Sequence, residues 1–403
     1  MRRLLLLIAM LATTCLSTNA QTAYITNYTG NNVSVIDVAT HAVVDTIIVG
    51  SGPYGVGVSP FANYVYVTNY NDGTVSVINA STDTISATIH VGNYPIGVCV
   101  TPDGHQVYVA NSDYPGSVSI INALSNTVTA TVPVGIYPYD VCFTPNGNFA
   151  YVTSSDGNSV SVINTTTHAV TTIPVGKSPY GIVAGTNGSK VYVANDGANN
   201  VMVINTSTNT ITDTIHVGIQ PYGITISPDG SKLYVANTGN SVYVINTVSD
   251  IVTDSIRVGL LPAGISVSPD GSKVYVVNRS GNNVSIINTA TNTVTDSITV
   301  GTFPEGFGNF ISTYPVITGL SQASIDHAGI EVYPNPANNK LTIEAPQTSI
   351  INITNLRGQL IKTLTAKSDT TSLDVSTFPN GVYLVKVKME NGIAVKKFVI
   401  NRK

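Results

Sequence analysis

Between Arg3 and Lys177 the chain contains no lysine or arginine. That gap excludes the phosphate-neutralising surface that a nucleic-acid partner requires. Residues 21–330 carry six basic against seventeen acidic side chains, net −11, whereas residues 331–403 carry ten against five, net +5. Cysteine is scarce as well, with only Cys15, Cys99 and Cys142, and no Cys-x-x-Cys-His run offers haem attachment. Beyond the N-terminus no apolar run is long enough to be a transmembrane segment. The six histidines are scattered, and the Asp-Gly pairs at Asp103, Asp229 and Asp270 lack calcium-loop spacing. No metal site and no cofactor is therefore expected. A phosphate-cradling glycine loop, a serine-centred elbow and a close carboxylate pair are missing too, so no catalytic residue stands out and an enzyme is the less favoured reading.

What the chain has is periodicity. A proline recurs at Pro53, Pro95, Pro138, Pro179, Pro221, Pro262 and Pro304, in steps of 41 to 43 residues. In phase with it runs a Tyr-aliphatic-x-Asn motif at Tyr24, Tyr66, Tyr108, Tyr151, Tyr192, Tyr234 and Tyr275, with Ser154 replacing Asn once. Seven copies of each mark a repeat architecture. Within a repeat the apolar positions alternate with period two, as in Ile224-Thr225-Ile226, Leu233-Tyr234-Val235 and Val242-Tyr243-Val244-Ile245. Turn residues such as Pro228-Asp229-Gly230 punctuate these runs, so each repeat predicts four short antiparallel strands. A sheet this short buries its faces only by radial stacking, which predicts a β-propeller. The first repeat lacks its opening strand and the last supplies only that strand, Pro304 to Phe310. Joined, they complete a seventh blade and remove the unpaired edges.

Before the repeats, Arg2 and Arg3 precede the apolar run Leu4 to Ala12 and the small residues Ser17 to Ala20. This is the pattern of a secretory signal peptide over residues 1–20. The expected fold class is all-β, a seven-bladed propeller over residues 21–311, a linker over 312–330 and a small C-terminal β-sandwich over 331–403.

Tyr66-Val67-Thr68-Asn69 spells the tetrapeptide of the YVTN β-propeller repeats, and residues 22–312 resemble that family. The resemblance implies the fold and not an activity, since such propellers include surface-layer components, lactone-cleaving enzymes and a DNA-binding relative. Residues 331–403 resemble the type A C-terminal sorting domain of the type IX secretion system, through Tyr333-Pro334-Asn335-Pro336, Gly381 and Tyr383 of the Asn-Gly-Val-Tyr strand, and the basic Lys396 and Lys397. That likeness implies the secretion machinery as a partner and a route through the periplasm of a Gram-negative bacterium to the outer surface or the medium.

Loops from each outer strand to the next inner strand should share one face with the loops after each second strand. Beside the repeated proline stand Tyr54, Tyr94, Tyr137, Tyr139, Tyr180, Tyr222 and Phe303, expected to ring the channel mouth as ligand-binding residues. The neighbouring loops add Asn69, Tyr70, Asp72, Asn111, Asp113, Tyr114, Asp156, Asn195, Asp196 and Asn237. Aromatic planes among amide and carboxylate groups suit a glycan or an envelope or surface protein as partner. The alternative is a hydrolase or lactonase whose site is assembled from several blades. Cys99 and Cys142 occupy equivalent positions in consecutive blades, so their side chains point the same way and two free thiols are expected.

Overall fold

The computed structural model describes residues 21–60, 64–312, 330–355, 360–389, 392–400 and 402. The expected signal peptide and most of the expected linker lie outside them. The described residues fall into two compact units divided between residues 318 and 319.

The first unit is the seven-bladed propeller. Its first blade has strands β1 (Thr22–Asn27), β2 (Asn32–Asp37) and β3 (Ala42–Ile48), and its second has β4 (Pro53–Val58), β5 (Tyr64–Asn69), β6 (Thr74–Asn79) and β7 (Thr84–His90). Five more four-stranded blades follow, their innermost strands opening at Pro95, Pro138, Pro179, Pro221 and Pro262. Neighbouring strands within each blade are antiparallel and consecutive. The two middle strands are buried on both faces, whereas the outer strand buries chiefly one residue, such as Ile47 or Ile89. Blade-on-blade contact therefore supplies the core, as period-two strands with two apolar faces require.

Two repeated residues stitch the blades. The motif tyrosine is fully buried in every blade, and in four of them it bonds to the next blade's outer turn: Tyr24 and Tyr192 do so, Tyr151 Oη donates to Asn209 at 2.9 Å, and Tyr275 Oη to the Val38 carbonyl at 3.3 Å, whereas the Tyr108 and Tyr234 hydroxyls are buried without a partner. The motif asparagine works within its blade. Asn69 Nδ2 donates to Thr74 and Ser76 hydroxyls, both at 2.9 Å, and Asn278 Nδ2 repeats this with Asn283 and Ser285.

Residues 304–312 close the ring beside β1. Glu305 N donates to the Thr26 carbonyl, Tyr24 N to Phe310 and Ser312 N to Thr22, each at 2.9 Å. The segment is bridged to β1 at Ala23 with Ile311 and Asn27 with Pro304, rather than forming the regular strand expected. Gly306 and Gly308 explain the difference. Their φ values of 52° and 107° lie where side chains are strained, and they turn the backbone off the strand path. Phe307 is thereby carried into the channel, where it packs against Tyr139 and Tyr222. On the outer side of the same seam, His41 lies 2.7 Å from Asp296 and 2.6 Å from Lys273.

The second unit pairs a three-stranded sheet (331–333, 340–344, 370–374) with a four-stranded one in the order 360–365, 350–355, 381–389, 392–400. Leu341, Ile343, Ile351, Ile353, Val385 and Phe398 fill the space between them. Among the described residues, no helix is long and apolar enough to cross a membrane.

Phe310 is fully buried against β1 and the last full blade. Phe310→Ala is expected to cost about 3–5 kcal/mol, the range for truncating a core phenylalanine, as measured by guanidinium unfolding. A loss under about 1 kcal/mol would show that closure does not depend on this seam.

Candidate functional site

The repeated proline divides the aromatic residues beside it into two groups. The residue before it takes a left-handed backbone in all seven blades, with φ between 49° and 63° at Gly52, Tyr94, Tyr137, Ser178, Gln220, Leu261 and Phe303. Side chains there are turned outward. Tyr94, Tyr137 and Phe303 are 47%, 40% and 39% exposed. Phe303 and Tyr94 are the ends of an arc of rings: Tyr28 lies 6.2 Å from both Phe303 and Tyr70, and Tyr70 lies 5.1 Å from Tyr94. Beside it, Asn93 Nδ2 donates to Asp113 at 2.7 Å.

The residue after the proline points into the channel. Tyr139 and Tyr222 are buried, Tyr54 and Tyr180 half-buried, and all four pack with Ile96, Ala263 and Phe307 in one cluster. The hydroxyls of Tyr54, Tyr139 and Tyr222 meet one another, Tyr54 and Tyr139 at 2.5 Å. Arg279 caps the trio, donating from Nη2 to Tyr222 at 2.8 Å, to Tyr54 at 3.4 Å and to Glu305 Oε2 at 2.5 Å. Its guanidinium also lies 4.8 Å over the Tyr222 ring and 5.5 Å from Phe303.

Burial dominates the electrostatics of this plug. It pushes the Tyr222 phenol up to about 12 and holds Tyr54 and Tyr139 well above the ordinary range, so all three stay protonated. Burial likewise raises Glu305 to about 7, against the pull of Arg279. Contacts with the tyrosines and Glu305 keep Arg279 charged. The plug therefore offers hydroxyl donors and one paired cation in a nearly dry setting, with no activated nucleophile.

The seven residues read from the sequence thus form no single ring. Tyr94, Tyr137 and Phe303 present their rings to solvent, Tyr180 is intermediate, and Tyr54, Tyr139 and Tyr222 form the plug. Tyr70, Asp72, Asp113, Tyr114, Asp156 and Asp196 keep exposed or partly exposed surface, whereas Asn69, Asn111, Asn195 and Asn237 are buried. Those amides lie at strand ends, which is why reading them as loop donors fails. Sequence reasoning missed Tyr28 and Arg279. Both occupy the position after the motif asparagine, where Tyr70 was noticed, so aligning that one column across the repeats would have found them. Cys99 and Cys142 are free.

In the second unit the residues read from the sequence as the sorting signal lie around the terminal strand. Asn335 Nδ2 donates to the Lys397 carbonyl at 3.2 Å, and its Oδ1 accepts from Val399 N at 2.9 Å. Pro334 and Pro336 flank it, each following a cis peptide bond. Tyr333 Oη donates to Glu344 at 2.5 Å. Tyr383, two residues after Gly381, is buried, stacks on Phe398 at 5.4 Å and donates to the Pro379 carbonyl at 2.8 Å. Lys396 and Lys397 are exposed.

Comparison with known proteins agrees with this architecture. Over residues 58–158 the chain matches the YNCE-like beta-propeller family, and over residues 331–401 the secretion system C-terminal sorting domain. These matches bear out both resemblances drawn from the motifs: the chain is an exported propeller carrying a type IX sorting domain. No curated protein matches. Among solved structures, the chain is similar to a functionally unknown protein from Desulfotomaculum acetoxidans, at 18% identity and TM-score 0.64, covering 72% of this chain and 100% of that one. It is also similar to Kuenenia stuttgartiensis hydrazine synthase, at 20% identity and TM-score 0.57, covering 62% and 88%. At such identities the likeness is one of fold alone.

Glu305 generates a signed pH dependence. Its carboxyl titrates at about 7 in the folded protein against 4.5 for the free group, so folding takes up a proton between those values. Stability should fall as pH rises through that window and level off above it. Glu305→Gln is expected to make the fall shallower without abolishing it, because buried Asp140 is also raised to about 7. Melting temperatures measured across the window test this, and parallel curves for the two proteins would contradict it.

Proposed function

We propose that this exported propeller is a binding module whose partner is a glycan, stacked on the arc of Phe303, Tyr28, Tyr70 and Tyr94 and on the exposed ring of Tyr137. One observation carries the reading. The position before each proline has the left-handed backbone that suits glycine, as at Gly52, yet three blades place an aromatic ring there and leave it open to solvent. A bulky residue in that region costs on the order of 1–2 kcal/mol, and an exposed ring recovers little of it by packing. Flat rings of low conformational entropy beside Asn93 and Asp113 suit sugar faces and hydroxyls. An envelope protein is the alternative partner for the same surface.

The hydrolase or lactonase reading is favoured by a different observation, the perturbed acidity of Glu305 beside three tyrosine hydroxyls. Its side chain is 2% exposed, so a substrate would have to displace the rings above it.

Combining Tyr94→Gly, Tyr137→Gly and Phe303→Gly separates function from packing. The triple variant is expected to lose glycan-array binding while its unfolding free energy stays within about 1 kcal/mol per site, because glycine relieves the backbone cost. Retained binding, or a collapsed fold, would refute the reading. Binding by captured envelope proteins alone, lost in the same variant, would assign the surface to a protein partner.

A further inference from the structure

The far end of the channel, beyond Phe307, holds a cavity of about 270 Å³. Its walls are mostly apolar, built from Val98, Val141, Ile182, Ile265 and Phe307 with Thr225 and Asn309 among them, and Asp140 is the one charged side chain among its described lining residues. Asp140 departs from the repeat. The other six blades have glycine at that position: Gly55, Gly97, Gly181, Gly223, Gly264 and Gly306. A Cβ would fall 2.1 Å from the Ile96 carbonyl oxygen at Gly55 and 2.2 Å from the Ala263 carbonyl oxygen at Gly223. A side chain at this position is therefore an exception that packing does not call for.

Asp140 is 8% exposed, and its carboxylate has no cationic partner among the described residues. Its oxygens accept from Val141 N at 2.8 Å and Ile182 N at 3.1 Å, which leaves lone pairs free. Burying a carboxylate without a counter-charge is unfavourable, and an ammonium ion entering the cavity would supply one.

We propose that this cavity binds a small organic ammonium ion, its head on Asp140 and its aliphatic body against Val141, Ile182, Ile265 and Phe307. The volume lies just under the usual range of about 300–1,000 Å³ for ligand sites, so the ligand is small. A metal ion fits poorly: among the described residues no three His, Cys, Asp or Glu side chains converge. Calcium takes six to eight oxygen ligands, and one carboxylate supplies at most two.

The site titrates. Burial raises the Asp140 carboxyl to about 7. The titratable groups facing it are Cys99 on the neighbouring strand and Cys142 on its own, and burial keeps both as neutral thiols. The lining segments of the other blades bring no further titratable group among the described residues. Ammonium binding requires the ionised carboxylate, so affinity rises with pH through about 7.

Calorimetry on the mature full chain with n-butylammonium, and with 1-butanol as its neutral counterpart, tests the proposal. Butylammonium is expected to bind, to bind more tightly at about pH 8 than at about pH 5.5, and to slow methanethiosulfonate labelling of Cys99 and Cys142. Asp140→Asn and Asp140→Gly should each weaken it about ten- to hundredfold, the range for one charge-assisted hydrogen bond. Asp140→Gly restores the repeat residue, which keeps the test open if the asparagine variant fails to fold. Equal binding of 1-butanol, unchanged affinity in Asp140→Gly, or no heat at millimolar butylammonium would overturn the assignment.

Discussion

The close approach of neighbouring innermost strands governs this molecule. At Gly264 an added Cβ would lie 1.9 Å from the Gly306 carbonyl oxygen, and at Gly97 it would lie 2.6 Å from the Tyr139 carbonyl oxygen. Backbones packed this tightly leave a narrow channel, so the single side chain each blade projects inward after its proline has little room. Tyrosines from blades two, four and six converge there with Phe307, and the channel is plugged rather than open. A ring of larger radius would not bring three phenol hydroxyls into mutual contact.

From that plug follows a division of labour between the two residues that flank each proline. The residue after each proline is drawn into a dry cluster, while the residue before it, held in the left-handed region, is turned to the surface. One residue, Pro138, separates Tyr137 from Tyr139, yet one ring meets solvent and the other does not. Arg279 marks the boundary, with its guanidinium on the Tyr222 hydroxyl and Glu305 below and beside Phe303 at the rim. Its partner Glu305 comes from the segment that closes the ring, so assembly of the pair and closure of the propeller are one event.

The sorting unit follows a different logic. Its recognisable motifs are held by backbone contacts, with Asn335 bonded to Lys397 and Val399, and Arg402 reaching the carbonyls of Phe378 and Asn338 at 2.9 Å. The opening Tyr-Pro-Asn-Pro turn and the terminal strand thus form one surface, with Lys396 and Lys397 exposed along it.

The amino-acid sequence alone determined the period, the four strands per repeat, the seven blades, the borrowed closing segment and the sorting module. Those features are written in alternation and turn chemistry, which act over a few residues and recur seven times. It located the aromatic face but not the depth of each ring, because period-two alternation gives the side of a strand and not the distance to a central axis. Only the tertiary structure decided that Tyr139 is buried and Tyr94 is not, that Asn69 ties strands together instead of facing a ligand, and that Arg279 meets Glu305. It also decided that Asp140, one exception among six glycines, faces a cavity beside Cys99 and Cys142. Closing a ring brings together residues one to six repeats apart, and no local pattern in the chain records which of them will share the axis.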